Sequence, residues 1–545
     1  MAIGNPPSLT LPAALRAVAT RYPDAPAVVD STKELTFSSL ELRSRRLAKA
    51  LLCEGIASGD RIAIMATNGP DWPVVCLAAW RIGAIGVPLN PRLRGLEVKE
   101  VLAQTGARMA FFDSCLDVVG AADRYQLLAE VAGPPTVSRP FRELPALSKV
   151  VDLEDRSPDE LPWSCPIQRF EEATSDLFDD EVARHEAAVG PTNPCQILFT
   201  SGTTGKPKGV VLQHAQQLCS YWRWSEIAEL GQCDRMLLTS PYSNGPGMAT
   251  MVGSLLRGFA TVLVDPFDPP TTLDQMKAHH VTAMLGPPNL FTRLLDAGRR
   301  FGPPASVRTV LVGMATVPAD LVRQLRDEWQ VERVLNAYGS TETTVIAMTR
   351  PGDPPEVSLG TCGRPLPGVD VKVVDHSGAE LPPSVPGSLL VRSATTACEY
   401  WNDAAASTHL GDAEGWYQTG DIGSVDSGGH VRVLDRDANV YNVAGYNVYP
   451  AEVEALLEHH PAVANAIVVA VRSTAGHDHG VAFVTPSSTL GIDTGELLAW
   501  AARSIADYKV PRVVIPLDEL PTTVNGKVDR QLLTRRATAG EGVPG

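Results

Sequence analysis

Leu40, Leu47 and Leu51 recur at helical spacing in SSLELRSRRLAKALL and predict an amphipathic helix there. RIAIMA at 61–66 then reads as a buried strand. PVVCLAAWRIGA, beginning at Pro73, reads as a helix, and ARMAFFD at 107–113 as another strand. Alternation of this kind implies a parallel sheet covered by helices on both faces. The strand pattern returns at 194–199 (PCQILF), 260–265 (ATVLVD), 281–285 (VTAML) and 308–313 (RTVLVG).

Two stretches depart from this rhythm. Residues 133–193 are rich in proline and acidic residues and read as a loosely structured insert. After about residue 355 the helical periods give way to short strands with Gly and Pro turns, such as GVDVKVVD and GSLLVRS. From Pro450 a helix, PAEVEALLEHH, precedes a strand, NAIVVAV. No internal repeat is present. The fold expected is α/β. A large N-terminal domain over 1–434 combines parallel-sheet βαβ layers with a β-rich subdomain. The charged, non-periodic DRDAN at 435–439 forms a hinge, and a small mobile α+β domain covers 440–545.

Length and charge narrow the class. At 545 residues the chain exceeds a single core. A net charge of −15 repels nucleic acid and anionic membrane, so neither is an expected partner. Nine cysteines form no CxxC pair, which argues for reduced core thiols and against a disulfide framework or zinc site. The start MAIGNPPSLTLPAAL has no charged region followed by a long apolar run, and no apolar stretch is long enough to insert into a membrane. A soluble cytoplasmic enzyme, monomeric or homodimeric, is the expectation.

LFTSGTTGKPKGV at 198–210 follows an apolar strand. A Gly-rich loop leaving a strand can aim several backbone N–H groups at one anion, with hydroxyls and lysines adding to them. It is not a P-loop. Gly202 and Gly205 are too close in sequence, and Lys206 precedes Pro207, where a helix cannot begin directly. A polar surface loop is the plain alternative.

This loop resembles the signature of the AMP-forming adenylate-forming superfamily, which includes acyl-CoA synthetases, peptide synthetase adenylation domains and luciferases. The resemblance runs in order from LTFSSL at 35–40 and GDRIAI at 59–64 to LPTTVNGKVDR at 520–530, and is closest in type to acyl-CoA synthetases. It implies ATP, Mg²⁺ and CoA as cofactors. Thr200, Ser201, Gly202, Thr203, Thr204, Gly205 and Lys206 would hold the phosphates. NAYGSTETT at 336–344 would place Tyr338 on adenine, with Gly339 and Ser340 beside the nucleotide, Thr341 on phosphate and Glu342 on Mg²⁺. Asp421 in GWYQTGDIG would accept the ribose hydroxyls, and Arg436 would reach ribose or phosphate. Lys527 would lie between carboxylate and α-phosphate and act with Thr341 and Glu342 in catalysis. Taken alone, YGSTE is also a helix start, TGD a turn, Arg436 a solvated arginine and Lys527 a lysine in a turn.

Departures from the family pattern mark the acyl pocket and hinge. PYSNGPG at 241–247 has Asn244 where a histidine is usual, and VGMAT at 312–316 has Met314 in place of a glycine. Asn244, Met248, Met314, Ala315 and Asn336 are the candidate pocket residues. With no amine anchor among them, a hydrophobic aliphatic, alicyclic or aromatic acid is expected rather than an amino acid. In the hinge segment DRDANVYNVAGYNVYPAEVE, Ala438 and Asn439 replace the usual polar pair. Ala444 stands for the first of two glycines, and the loss of that glycine removes backbone freedom. Gly445, Tyr446 and Asn447 would line the tunnel for CoA.

The resemblance leaves the acceptor open. An acid:CoA ligase is the leading reading, with an amide bond synthetase using an amine, or loading of a separate carrier protein, as alternatives. A non-catalytic binding protein is disfavoured because Thr204, Lys206, Glu342, Asp421, Arg436 and Lys527 occur together.

Overall fold

The helix anticipated around Leu40 spans Phe37–Cys53, and the Thr36 hydroxyl caps it by accepting from the Ser39 amide at 3.2 Å. Leu40, Leu47 and Leu51 are buried, whereas Leu42, off that stripe, is exposed. The next helix, Asp71–Arg81, is buried without interruption from Trp72 to Arg81. It is therefore a central helix rather than an amphipathic one. It stops at Arg81, turns through Gly83 and enters a strand, Ile85–Pro88, which the apolar run had merged into the helix.

The computed structural model describes residues 8–31, 33–113, 141–153, 164–172, 179–201, 207–264, 267–314, 317, 319–375, 377–436, 441–444, 446–448, 450–472, 477–487, 491–521 and 528–540. The chain divides into two compact units. The first comprises 1–91, 102–198 and 209–435, and the second 92–101, 199–208 and 436–545.

Two large sheets form the first unit. One has nine strands, built on Pro26–Val29, Ala260–Leu263, Arg235–Leu238, Ala283–Gly286, Thr309–Val312 and Arg333–Ser340, all parallel to their neighbours in that order. Antiparallel strands complete it at both edges: Glu34–Thr36 on one side, Thr344–Met348 and Arg364–Pro365 on the other. The other sheet has eight strands, in which Ile85–Pro88, Arg61–Met65, Met109–Phe112, Lys149–Asp152 and Ser164–Pro166 are successive parallel neighbours. One apolar core joins residues of both sheets to the helices Leu11–Arg21, Phe37–Cys53, Asp71–Arg81, His214–Ile227 and Gly245–Arg257. The β-rich part is a separate four-stranded sheet, in which Gly387–Ser393 runs antiparallel to both of its neighbours, Val369–Val374 and Tyr417–Val425.

The described residues of the stretch 133–193 are not a loose insert. They supply two strands of the eight-stranded sheet and the helices Ile167–Glu172 and Asp179–Ala188. Phe170 and Val182 enter the main core. The acidic residues that suggested solvation are partners of cations. Glu171 meets Arg43 at 2.8 Å, and Glu186 meets the fully buried Arg81 at 2.8 Å. Arg81 also donates to the Ser44 hydroxyl at 3.2 Å and pairs with Glu41. A guanidinium held inside a central helix needs such partners, because an unpaired buried charge is very costly.

In the second unit, strand Val463–Arg472 pairs antiparallel with Asp478–Pro486, which runs parallel to Val513–Pro516. Helix Pro450–Glu458 buries Val453 and Leu457 in the core of that sheet. A hairpin, Tyr441–Val443 with Tyr446–Val448, precedes the helix.

The thiols are not all core residues as expected. The eight described cysteines form no disulfide, and Cys53, Cys233 and Cys398 are exposed while Cys76 and Cys195 are buried. Among the described residues no helix is long and apolar enough to cross a membrane.

Candidate active site

In the first unit, strand Arg333–Ser340 and its antiparallel neighbour Thr344–Met348 enclose the YGSTET turn. YGSTE is thus the end of a strand and a turn, not a helix start. The turn is tight. A Cβ on Gly339 would lie 1.9 Å from the Thr344 carbonyl oxygen, so only glycine fits. Thr344 itself has φ +59°, a conformation that β-branched residues avoid. Its hydroxyl donates to the Ser220 hydroxyl at 2.6 Å, and the Val345 amide donates to the same oxygen at 3.3 Å. The Thr343 amide donates to the Ser340 hydroxyl at 3.3 Å, closing the loop from inside.

This turn brings together three predicted residues. The Tyr338 hydroxyl donates to Asp421 Oδ2 at 2.5 Å, although the two are 83 positions apart. Asp421 is 4% exposed, and its amide donates to the Thr419 hydroxyl at 3.1 Å, which in turn donates to the Leu389 carbonyl at 2.9 Å. The aromatic residue and the carboxylate are therefore fixed to each other through the four-stranded sheet. Glu342 follows at the turn, where the Tyr400 hydroxyl donates to its Oε1 at 3.1 Å and its own carbonyl accepts from the Ala397 amide at 2.6 Å. Cys362 lies near Asp421. Burial, with the Asp421 charge adding to it, pushes this thiol up to about 11, so it stays protonated and offers no nucleophile.

Sequence reasoning missed Tyr400, Ser220 and Thr419. Tyr400 and Ser220 act through hydroxyls on remote elements and Thr419 through one two residues from Asp421, and nothing local in ACEYWN, QLCSYW or YQTGD distinguishes them from ordinary polar residues.

The pocket candidates occupy different surroundings. Asn244 precedes helix Gly245–Arg257. Its backbone donates to Pro241 and accepts from Met248, both at 3.0 Å, and its side chain makes no capping bond. Met248 is fully buried in the core that also holds Trp72 and Tyr242. The Asn336 amide group donates to the Ser358 and Thr361 carbonyls at 2.6 and 3.1 Å, tying down helix Pro355–Gly360. Its buried Oδ1 has no hydrogen-bond partner among the described residues. Met314 has φ +66°. The backbone there retains a conformation suited to the glycine of the family pattern, while the side chain does not, which costs about 1 kcal/mol.

In the second unit, the Thr200 hydroxyl donates to the Lys208 carbonyl at 3.5 Å. Tyr446 lies on the hairpin opposite Val443. Gly202, Thr203, Thr204, Gly205, Lys206, Ala315, Gly445 and Lys527 lie outside the described residues, as do the side chains of Ser201, Arg436 and Asn447.

Parallel sheets covered by helices, with an aromatic–carboxylate pair and an acidic turn at the end of strand Arg333–Ser340, define an α/β fold with one polar site. The chain belongs to the AMP-binding enzyme family: that family's model matches residues 15–401, and the model of its C-terminal domain matches 452–527. Among curated relatives, a Mycobacterium tuberculosis protein is 34% identical over 96% of this chain and 98% of its own. It is named as a ligase joining CoA to a propanoate borne on a methyl-dioxo-octahydroindene ring. A feruloyl-CoA synthase of Amycolatopsis is 30% identical over 94% of this chain and 96% of its own. Among solved structures, the amide bond synthetase McbA from Marinactinospora thermotolerans superposes with a TM-score of 0.80, at 27% identity over 96% of this chain and 99% of its own.

Proposed function

We infer that the protein is an ATP-dependent acid:CoA ligase. A carboxylate oxygen attacks the α-phosphorus of ATP, the bond to the β-phosphate breaks, and pyrophosphate leaves. The thiolate of CoA then attacks the acyl carbon, and AMP departs with the carbon–oxygen electron pair. The observation that carries the nucleotide half is the Tyr338–Asp421 bond beside Glu342. The turn carries a flat aromatic face and a hard oxygen ligand, and the bond brings to it a buried acceptor from strand Tyr417–Val425.

Glu342 suits Mg²⁺. Among the described residues no group of three or more His, Cys, Asp or Glu side chains is placed to hold a metal. A lone carboxylate is what Mg²⁺ uses when phosphate oxygens and water complete its shell, and the ion supplies charge neutralisation to the phosphates. The 200–206 loop cradles phosphate, Arg436 reaches the ribose or phosphate, and Lys527 offsets charge on the reacting oxygens. Residues 435–439 serve as the hinge, and Gly445, Tyr446 and Asn447 line the path of the thiol.

CoA is the favoured acceptor because full-length relatives above 30% identity are named as CoA ligases. The acid is a ring-bearing one, as in the names of those relatives and of an indoleacetate–CoA ligase from Aromatoleum aromaticum. The likeness to McbA keeps an amine as the second acceptor. Supplied with ATP, Mg²⁺ and a panel of alicyclic and aromatic acids, the protein should release pyrophosphate with at least one, and added CoA should yield the thioester by mass. Silence across the panel from folded protein would refute the assignment.

A further inference from the structure

Two layers of contact inside the second unit hold the Tyr441–Val448 hairpin and the helix after it. In the first, the Tyr446 and Tyr508 rings stack with centroids 4.4 Å apart and planes 22° apart. The Arg92 guanidinium sits over both, 5.2 Å from the Tyr446 centroid and 5.3 Å from that of Tyr508. Arg92 is aimed by Asp507. Its Nε donates to Oδ1 at 2.7 Å, and a second bond from its terminal nitrogen to Oδ2 completes a fork.

The second layer is buried and ionic. Lys509 Nζ donates to Glu97 Oε1 at 2.8 Å and to Glu452 Oε1 at 2.6 Å, and all three side chains are under a tenth exposed. Glu97 Oε2 accepts from the Ala506 and Arg94 amides, both at 2.9 Å. Burial lowers the Lys509 pKa, but the charges of Glu97 and Glu452 outweigh it and hold the ammonium above its ordinary range. Glu452 sits in helix Pro450–Glu458, four residues beyond the end of the hairpin at Val448. Its Oε2 has no hydrogen-bond partner among the described residues.

Two carboxyl groups share one ammonium in the interior, and burial pushes the Glu452 carboxyl above its ordinary range. Such a triad is a poor source of stability compared with apolar packing, but its geometry is satisfied at one position only. The hairpin has a reason to need that. Ala444 stands at its tip with φ +51°, so the hairpin carries strain that contacts elsewhere must offset.

We propose that Arg92, Tyr508 and Lys509 are positioning residues for the second half-reaction, clamping Tyr446 and its hairpin as the lining of the acceptor thiol's path. This rests on the reading of Gly445–Asn447 as the path of that thiol.

The test separates the half-reactions in the full-length protein. Acid-dependent ATP–pyrophosphate exchange reports the first, and single-turnover transfer from preformed acyl-adenylate to CoA reports the second. Lys509→Met and Arg92→Ala should each slow transfer at least tenfold while exchange stays within twofold. Arg92→Lys, which keeps a cation over the rings, should recover part of the loss. The uncharged E97Q/K509M/E452Q variant guards against simple misfolding: with a melting temperature near that of the parent, it should still show slow transfer. Equal losses in both half-reactions, or none in transfer, would overturn the clamp. If the parent forms the adenylate but no thioester, the CoA reading has failed. The same ratios are then read with an amine acceptor, and the clamp falls if they do not split.

Discussion

The Tyr338–Thr344 turn and the Tyr441–Val448 hairpin each contain a residue in the left-handed region, Thr344 at φ +59° and Ala444 at φ +51°. They hold that strain differently. Thr344 is buried, its hydroxyl is bonded to Ser220, and Gly339 faces it across a gap too small for a methyl group. Ala444 is exposed, at the tip of a hairpin only three residues long on each side. The first segment is fixed by its own bonds, whereas the second depends on the rings and charges it docks against. A site that must present a nucleotide reproducibly benefits from the former. Docking contacts of the latter kind can be released without unfolding the segment that they hold.

The largest effect should come from breaking the stiff region. Gly339→Ala drives a methyl group into the Thr344 carbonyl and should cost about 3 kcal/mol of stability. Acid-dependent pyrophosphate release should fall roughly 100-fold, since small displacements at a reacting centre are that expensive. A parent-like melting curve and rate would show that the turn is not rigid. A smaller effect is expected from Tyr338→Phe, which keeps the ring and removes the bond to Asp421. A hydrogen bond to a charged group is worth about 1.5–3 kcal/mol, so KM for ATP should rise about tenfold with kcat little changed. A fall in kcat alone would place the pair outside nucleotide binding. Smallest of all is Ala444→Gly. Relief of the strained φ should stabilise the hairpin by about 1 kcal/mol, read as roughly fivefold slower amide exchange at Val443 and Tyr446. Unchanged or faster exchange would remove the contrast with Thr344.

Much of this was legible in the sequence, and what was not has physical causes. The residues of the YGSTET turn and of GWYQTGDIG stood out through the family resemblance, since each alone is an ordinary helix start or turn. That Tyr338 bonds Asp421 did not, because the contact arises only when two sheets bring distant strands together. The strand Ile85–Pro88 was hidden by an apolar helix running straight into it. The strands at 149–166 were obscured by acidic and proline-rich neighbours, of which Glu171 pairs with Arg43 and Glu186 with the buried Arg81. The glycine departures were visible as sequence changes. Only the backbone angles of Met314 and Ala444 reveal that the conformation was kept when the residue was replaced.

The pairing of Arg81 with Glu186 bears on any attempt to shorten this protein. Residues 133–193 look dispensable on paper, and excising them would seem an easy route to a smaller enzyme. Doing so would strand a permanent positive charge in the middle of the molecule with half its neutralising shell gone, so a trimmed version needs Arg81 exchanged for an uncharged residue of similar bulk.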